Sequence, residues 1–440
     1  MFVVLTNIRL MNEIQKPKSG DDSAMSIQPW EYLRQFEKQK NLDLDGLIQV
    51  YREHWRDESW HEVLCLMARM LDAKFTSKIL EYLIGEDGEG EKFSNLFLAA
   101  QCVSEVKKRN DIAAISSQLC DEVKELTQYG NITDTTSQEY YNLLYEIRTK
   151  AVAAVAATWK NDPETLPWLK ERALTDDYSR VREAAVQELA RGWKDDPETL
   201  PWLKERARTD DNLDVRLAAV KELARGWKDD PETLPILKES ARTDDYSRVR
   251  EAAVQELARG WKNDQKTLPW LKERARTDHD WEVRSAAVQE LALGWKDDPK
   301  TLPWIKQLLQ SDDNSAVRQV AVQEVARGWK DDPKTLLWLK ERARSDDNWN
   351  VRSPAVQELA RGWKDDPELF ELLCDVAIND PFERQYDWQN NPRQVALSAT
   401  IELYADRPQT LELVRDRAQN DSDQQLREFA QQKLAELEGQ

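Results

Sequence analysis

The sequence predicts an all-α protein: an α-solenoid of stacked two-helix units behind a helical N-terminal module. Three columns of residues carry this reading. Trp159, Trp193, Trp227, Trp261, Trp295, Trp329 and Trp363 stand 34 residues apart. Trp168, Trp202, Ile236, Trp270, Trp304 and Trp338 keep the same period, and the two columns hold twelve of the 18 tryptophans. Arg182, Arg216, Arg250, Arg284, Arg318 and Arg352 form a third column that never varies. A fixed period of this length marks a helical repeat whose units bury their apolar stripes against one another.

One unit spans residues 195–228, DDPETLPWLKERARTDDNLDVRLAAVKELARGWK. Asp196 before Pro197 predicts a capped start with Pro at the first helical position. Leu200, Leu203 and Ala207 recur at helical spacing and give the first helix. Pro201, early in it, bends the helix or marks its true start. Thr209, Asp210 and Asp211 make the turn. The second helix buries Val215, Ala218, Ala219, Val220, Leu223 and Ala224. Its Ala pair lets neighbouring helices approach closely. Gly226 ends it, and Trp227 folds back onto the core. By the same logic Trp261 is expected to be buried between two units.

In chain order, residues 1–30 read as a disordered tail and residues 31–137 as a helical module with an acidic loop, GEDGEGE, at 85–91. Residues 138–440 read as about eight solenoid units with a cap at each end. A lone helix over residues 138–160 covers the first unit. The seventh unit carries seven extra residues near PFERQYDWQNNP, between its two helices. The eighth puts Leu413 in the tryptophan column and Gln431 at a core position, as a terminal cap requires.

Composition narrows the function. The net charge is −19, divided as −7 over residues 31–150, −3 over 151–365 and −9 over 366–440. An acidic chain without a basic block repels phosphate backbones, so nucleic acid is not expected as a partner. No apolar run approaches the roughly 18 residues of a membrane span. Cys65, Cys102, Cys120 and Cys374 have neither zinc-ligand spacing nor a disulfide framework, and no secretion signal is read, so a cytoplasmic location is expected.

The Asp turn followed by Val-Arg and Ala-Ala-Val resembles the HEAT repeat, in the short form of phycobilisome-lyase-type proteins. The resemblance implies that Asp211 and Arg216, with their equivalents, bond across the turn and form a ladder along the stack. The words FEKQK, HWRDESWHEVLCLMARML and NLFLAAQCVSEV resemble the stretch that follows the NTPase modules of cyanobacterial NACHT-type STAND proteins and leads into their repeats. With the repeats, that resemblance covers roughly residues 31–440. It implies a sensor part in signalling or defence, with a separately encoded NTPase module as one partner. The chain lacks GxxxxGK[ST]. Its nearest string, residues 85–92, has Glu91 where the lysine belongs, and its acidic residues repel phosphate.

Other chemistry finds little support. His61-Glu62 begins an HExxH-like string, but Cys65 stands where the second His is needed. Paired carboxylates such as Asp195-Asp196 recur from unit to unit as caps and loops. No catalytic, cofactor-binding or metal-binding residue is expected, and the chain is not read as an enzyme.

Variation is concentrated just before the Val-Arg pair, at 178–180, 212–214, 246–248, 280–282, 314–316 and 348–350. Turns of stacked units align along one rim. Tyr178, Leu213, Tyr246, Trp281 and Trp349, with Phe382, Tyr386 and Trp388 of the insertion, are therefore the candidate partner-binding residues. The expected function is a non-enzymatic protein-binding scaffold or ligand sensor. The alternative is a bilin lyase or its chaperone subunit, which are built of similar repeats.

Overall fold

The computed structural model describes residues 44–130 and 137–438. The tail expected over residues 1–30 lies outside the described residues, as does the start of the helical module. The described residues form 22 α-helices, linked by turns and short 3-10 segments. They fall into two compact bodies, Met1–Thr199 and Leu200–Gln440.

The first body contains α1 (Leu44–His54), α2 (His61–Met70), α3 (Ala73–Gly85), α4 (Ser94–Glu105), α5 (Ala113–Glu125), α6 (Gln138–Thr158), α7 (Thr165–Thr175) and α8 (Ser179–Gly192). Helix α4, SNLFLAAQCVSE, has little polar surface because it runs through the middle: α2, α3, α5 and α6 all pack on it. Tyr51, Trp55, Leu64, Ile79, Leu98 and Leu119 fill the surrounding core. Helix α6 is not a lone cover. Ile147, Ala151 and Val155 join that same core, while α8 packs on the helix from the other side. Gly130, in the turn before it, has φ +73, and a Cβ there would meet Leu144 at 2.5 Å. Only glycine suits that turn.

The second body repeats a hairpin of a first (A) and second (B) helix. The pairs are α9 (Thr199–Thr209) with α10 (Leu213–Gly226), α11 (Thr233–Thr243) with α12 (Ser247–Gly260), and α13 (Thr267–Thr277) with α14 (Trp281–Gly294). Next come α15 (Thr301–Ser311) with α16 (Ser315–Gly328), and α17 (Pro333–Ser345) with α18 (Trp349–Gly362). Last are α19 (Leu369–Asn379) with α20 (Pro392–Tyr404), and α21 (Pro408–Asn420) with α22 (Gln424–Glu438). Leu203, Leu237, Leu271, Ile305, Leu339 and Leu373 from the A helices are fully buried against Val215, Val249, Val283, Val317 and Val351 from the B helices. Successive B helices lie directly on one another. Paired alanines such as Ala252-Ala253 and Ala286-Ala287 let their backbones come close.

One local expectation changes. The first helix of the unit begins at Thr199, not at Pro197; Asp196 instead accepts the Glu198 N–H in a preceding turn. Pro201 is then in the first turn, where its missing N–H costs nothing. Where Leu337 and Glu412 replace that proline, α17 and α21 reach back to Pro333 and Pro408, although α19 with Glu371 does not. Gly226 ends α10 as expected, as its last helical residue and without a left-handed conformation.

The tryptophan columns are also mostly not the core, although Trp338 of the second is buried. In the first column only Trp159 is buried; Trp261 and the others are half-buried and follow the last turn of each B helix. The aliphatic positions above already fill the space between helices, so the indoles lie at its edge. In the second column they meet lysines: Lys272 Nζ lies 5.6 Å from the Trp304 ring and Lys306 Nζ 5.5 Å from that of Trp338. Ile236 and Leu372 interrupt the column. There Lys204 turns instead to Asp230 and Glu232, both at 2.7 Å, and Lys340 to Asp366 and Glu368, both at 2.9 Å.

Candidate functional site: a rim of turns and an inserted loop

The turn between A and B helices is built around the arginine column. Arg216 Nη1 donates to the Asp210 carbonyl of its own turn at 2.6 Å. Its Nε and Nη2 donate to the two carboxylate oxygens of Asp244 in the next unit, at 2.7 and 3.0 Å. Arg250 treats Asp278 in this way, Arg284 treats Asp312, Arg352 treats Asp380 and Arg393 treats Asp421. Arg318 reaches Asp346 through Nη2. The ladder aspartate is thus the first of the Asp pair, not the second as the resemblance implied for Asp211. The reason is local: the first aspartate is the one whose Oδ1 also accepts the N–H two residues on, as Asp244 does from Tyr246 at 3.0 Å. That fixes its carboxylate inward. The second stays in water; Asp313 and Asp347 add outer contacts to Arg284 and Arg318. The bonds from Asp244 and Asp312 lift the Arg216 and Arg284 guanidinium groups above their usual value.

The ladder holds the variable turns of successive units side by side in the second body. Part of their variation is capping chemistry. Asn212, Asp280, Asn314 and Asn348 accept backbone N–H groups at the starts of α10, α14, α16 and α18. Tyr246 occupies the same position without capping, and its ring lies 5.4 Å from the Arg216 guanidinium of the preceding unit. In the first body Tyr178 does likewise over Arg148, at 3.9 Å, with Tyr145 beside it. Arg148 stands 34 residues before Arg182 and donates to the Tyr129 and Gly130 carbonyls, so the arginine column starts one unit earlier than read.

The first residue of each B helix carries the other candidates. Leu213 is half-buried, Trp281 is 42% exposed, and Trp349 is half-buried because the insertion packs on it. Phe382 lies 6.1 Å from Trp349 edge-on, and Trp388 6.0 Å from it. Tyr386 stacks on Trp388 at 5.8 Å. Phe382 is buried, but Tyr386 and Trp388 are 59% and 72% exposed. Four of the candidates thus form one aromatic cluster, anchored by Phe382 and open at Trp388. Among the described residues no ring contact joins Trp281 or Tyr246 to it.

The inserted loop, residues 380–391, is firmly tied. Arg384 Nη1 donates to the Gln389 carbonyl at 2.6 Å, and its Nε and Nη2 reach Asp423 at 2.7 and 3.3 Å. Although Asp423 is buried, its bonds to Arg384 and the Leu426 N–H hold its carboxyl below the usual range. Gln389 Oε1 accepts the Gln385 and Tyr386 N–H groups, and Ser353 Oγ donates to the Asn390 carbonyl. The loop therefore presents its rings in a fixed place. Among the described residues no three His, Cys, Asp or Glu side chains are grouped to hold a metal ion, and no helix is long and apolar enough to cross a membrane.

A family model described as HEAT repeats matches residues 188–258, 252–326, 268–360 and 302–387. Over these residues, 188–387, the chain is a HEAT-repeat α-solenoid. Its similarity to solved structures is distant. YibA of Escherichia coli aligns at 21% identity over 70% of this chain and 99% of its own, with a TM-score of 0.39. Kap121p aligns at 14% identity over 90% of this chain and 46% of its own, with a TM-score of 0.44. The structure of the Pds5–Scc1 complex contains a chain aligning at 14% identity, over 96% of this chain and 66% of its own, with a TM-score of 0.31. Likenesses of this size say nothing of a partner. No curated protein matches the sequence.

Proposed function

We propose that this HEAT-repeat solenoid is a non-enzymatic scaffold that binds a protein partner through its rim. The observation that carries the reading is the aromatic cluster of the inserted loop. Trp349 and Phe382 support Tyr386 and Trp388 from below, and the two outer rings stand in water on a loop held by Arg384. Exposed aromatic rings on a rigid support lose little freedom on binding, which suits them as anchors. Trp281 offers a further anchor on the same kind of turn. A sensing role, with a separately encoded NTPase module as partner, rests on the wording of residues 31–128 alone.

The test is site-specific photo-crosslinking with a benzophenone amino acid in native lysate. It is placed at Trp388, at Trp281 and, as a control, at Leu293, which is 70% exposed on a different face of its helix. Discrete protein adducts from the two rim positions but not from the control are expected. Identical adducts from all three, or none, would remove the proposal. Transfer of a bilin to an apo-phycobiliprotein, read by absorbance, would favour the lyase alternative instead.

A further inference from the structure

The inserted loop also roofs a groove on the B-helix side of the last units. Gln357 and Arg361 of α18, Gln394, Ser398 and Glu402 of α20, and Phe429 of α22 line it, and Trp388 to Asn391 close its upper edge. Its volume is about 580 Å³.

Side-chain amides dominate this lining. Those of Gln357, Asn390 and Gln394 make no hydrogen bond among the described residues. Asn391 is 1% exposed, and its Oδ1 caps α20 by accepting the Arg393 N–H at 2.9 Å. The residue lines the groove, and its Nδ2 is buried without a partner among the described residues. A buried donor left unpaired is costly and marks where an acceptor belongs. The charges are uneven. Arg361 is already bonded to Glu358, whereas among the described residues Glu402 has no cationic partner and the Asp387 carboxylate has one long contact, 3.5 Å, from Gln425.

We infer that this groove takes an extended peptide segment carrying a Lys or Arg side chain. The inference rests on the protein-binding reading and names the chemistry of one segment of the partner. A carboxamide presents a donor and an acceptor side by side, as a peptide group does, so amide-lined walls pair with a backbone whatever its sequence. The unpaired Asn391 donor meets a backbone carbonyl. Glu402 and Asp387 meet the basic side chain, and Trp388 covers its stem. Anionic ligands are disfavoured by the same two carboxylates.

Random short peptides displayed on phage are panned on the full chain, and recovered peptides are measured by fluorescence anisotropy. Asn391→Asp keeps the oxygen that caps α20 and exchanges the amide donor for a carboxylate oxygen. With circular dichroism showing the variant folded at the assay temperature, it should weaken peptide binding at least about tenfold. Glu402→Gln should weaken it about fivefold and relax the enrichment in Lys and Arg. If Asn391→Asp does not fold, Gln394→Ala on the groove floor carries the same expectation. Failure to recover any peptide overturns the inference, as does binding indifferent to Asn391→Asp, Gln394→Ala and Glu402→Gln. Glycan-array binding that depends on Trp388 overturns it as well. Peptides lost on Trp281→Ala yet indifferent to the groove changes would overturn it while leaving the rim proposal standing. Absent rim adducts would remove only the latter.

Discussion

Arg352 grips Asp380 through both carboxylate oxygens, Nε at 2.6 Å and Nη2 at 2.9 Å, while its Nη1 donates to the Asp346 carbonyl at 2.8 Å. Both side chains are almost fully withdrawn from water. Removing one partner of such a pair leaves the other charge buried and alone. Arg352→Ala should therefore cost about 3–5 kcal/mol. Arg352→Lys keeps the charge but not the two-pronged geometry and should fall between. Urea unfolding followed by circular dichroism measures the loss, and hydrogen exchange should place it in α17 to α20. A wild-type unfolding curve for Arg352→Ala would contradict the structural role of the ladder.

The glycine column is open to improvement. Gly226, Gly260, Gly294 and Gly328 each end a B helix, none has positive φ, and a Cβ on any of them would meet nothing within 4 Å. Alanine at each should stabilise by roughly 0.5–1 kcal/mol, mainly by restricting the unfolded chain. The four sites are in different units, so their effects should add. Calorimetry of the single and fourfold variants checks this. A lowered melting temperature would show that the glycines serve a purpose beyond ending the helix.

The lysines of the A helices should titrate in two groups. Burial pushes Lys272 and Lys306 down, with Asp298 and Asp332 only partly opposing it. Lys340 is also buried and Lys204 half-buried, but the bonds to Asp230 and Glu232, and to Glu368 and Asp366, lift them above the ordinary value. The signs are opposite. The bridges of Lys204 and Lys340 stabilise fully below the free-lysine value of about 10.4 and are lost as pH rises through the elevated folded values. Lys272 and Lys306 carry a penalty while protonated, relieved as pH rises through their depressed values. Acylation at about pH 9, mapped by mass spectrometry, should mark Lys272 and Lys306 before Lys204 and Lys340. Equal rates would contradict the contrast.

Thiol reactivity should be low until the fold opens. Cys102 is fully buried, and its contact with Cys65, together with burial, drives its thiol well up. Burial raises Cys120 to about 11 and also raises Cys374. Thiolate is scarce at neutral pH in each case. Labelling by an aromatic disulfide reagent should be slow in buffer and complete in urea. Rapid labelling of all four cysteines in buffer would show that the first body opens locally.

The period, the hairpin and the arginine column were legible because each recurs in every unit and repetition stands in for an alignment. What recurrence hides is which of two adjacent recurring residues does the work. Asp210 and Asp211 recur together, and only the backbone turn decides that the first points inward. The tryptophans recur as faithfully as Leu203 or Val215, yet most are too large for a space already filled by branched side chains, so all but Trp159 and Trp338 settle at its edge. At the candidate site the inserted aromatics were visible as a break in the period. Their gathering around Trp349 was not, because it depends on Arg384 folding the loop back. The groove amides were missed for the opposite reason. Gln357 belongs to a recurring column with Gln187, Gln255, Gln289 and Gln323, and looks like any solvated helix face.

In the second body every ladder arginine reaches an aspartate 28 residues ahead, and the inserted loop leaves this distance intact because it falls between Asp380 and Arg393. A single 34-residue unit could therefore be duplicated or excised in frame without stranding a charge inside the stack. Recombination between nearly identical units can lengthen or shorten such a gene while each intermediate still folds. The separation between Trp281 and the inserted loop is then a quantity that inheritance can vary in whole steps, independently of the chemistry at either end.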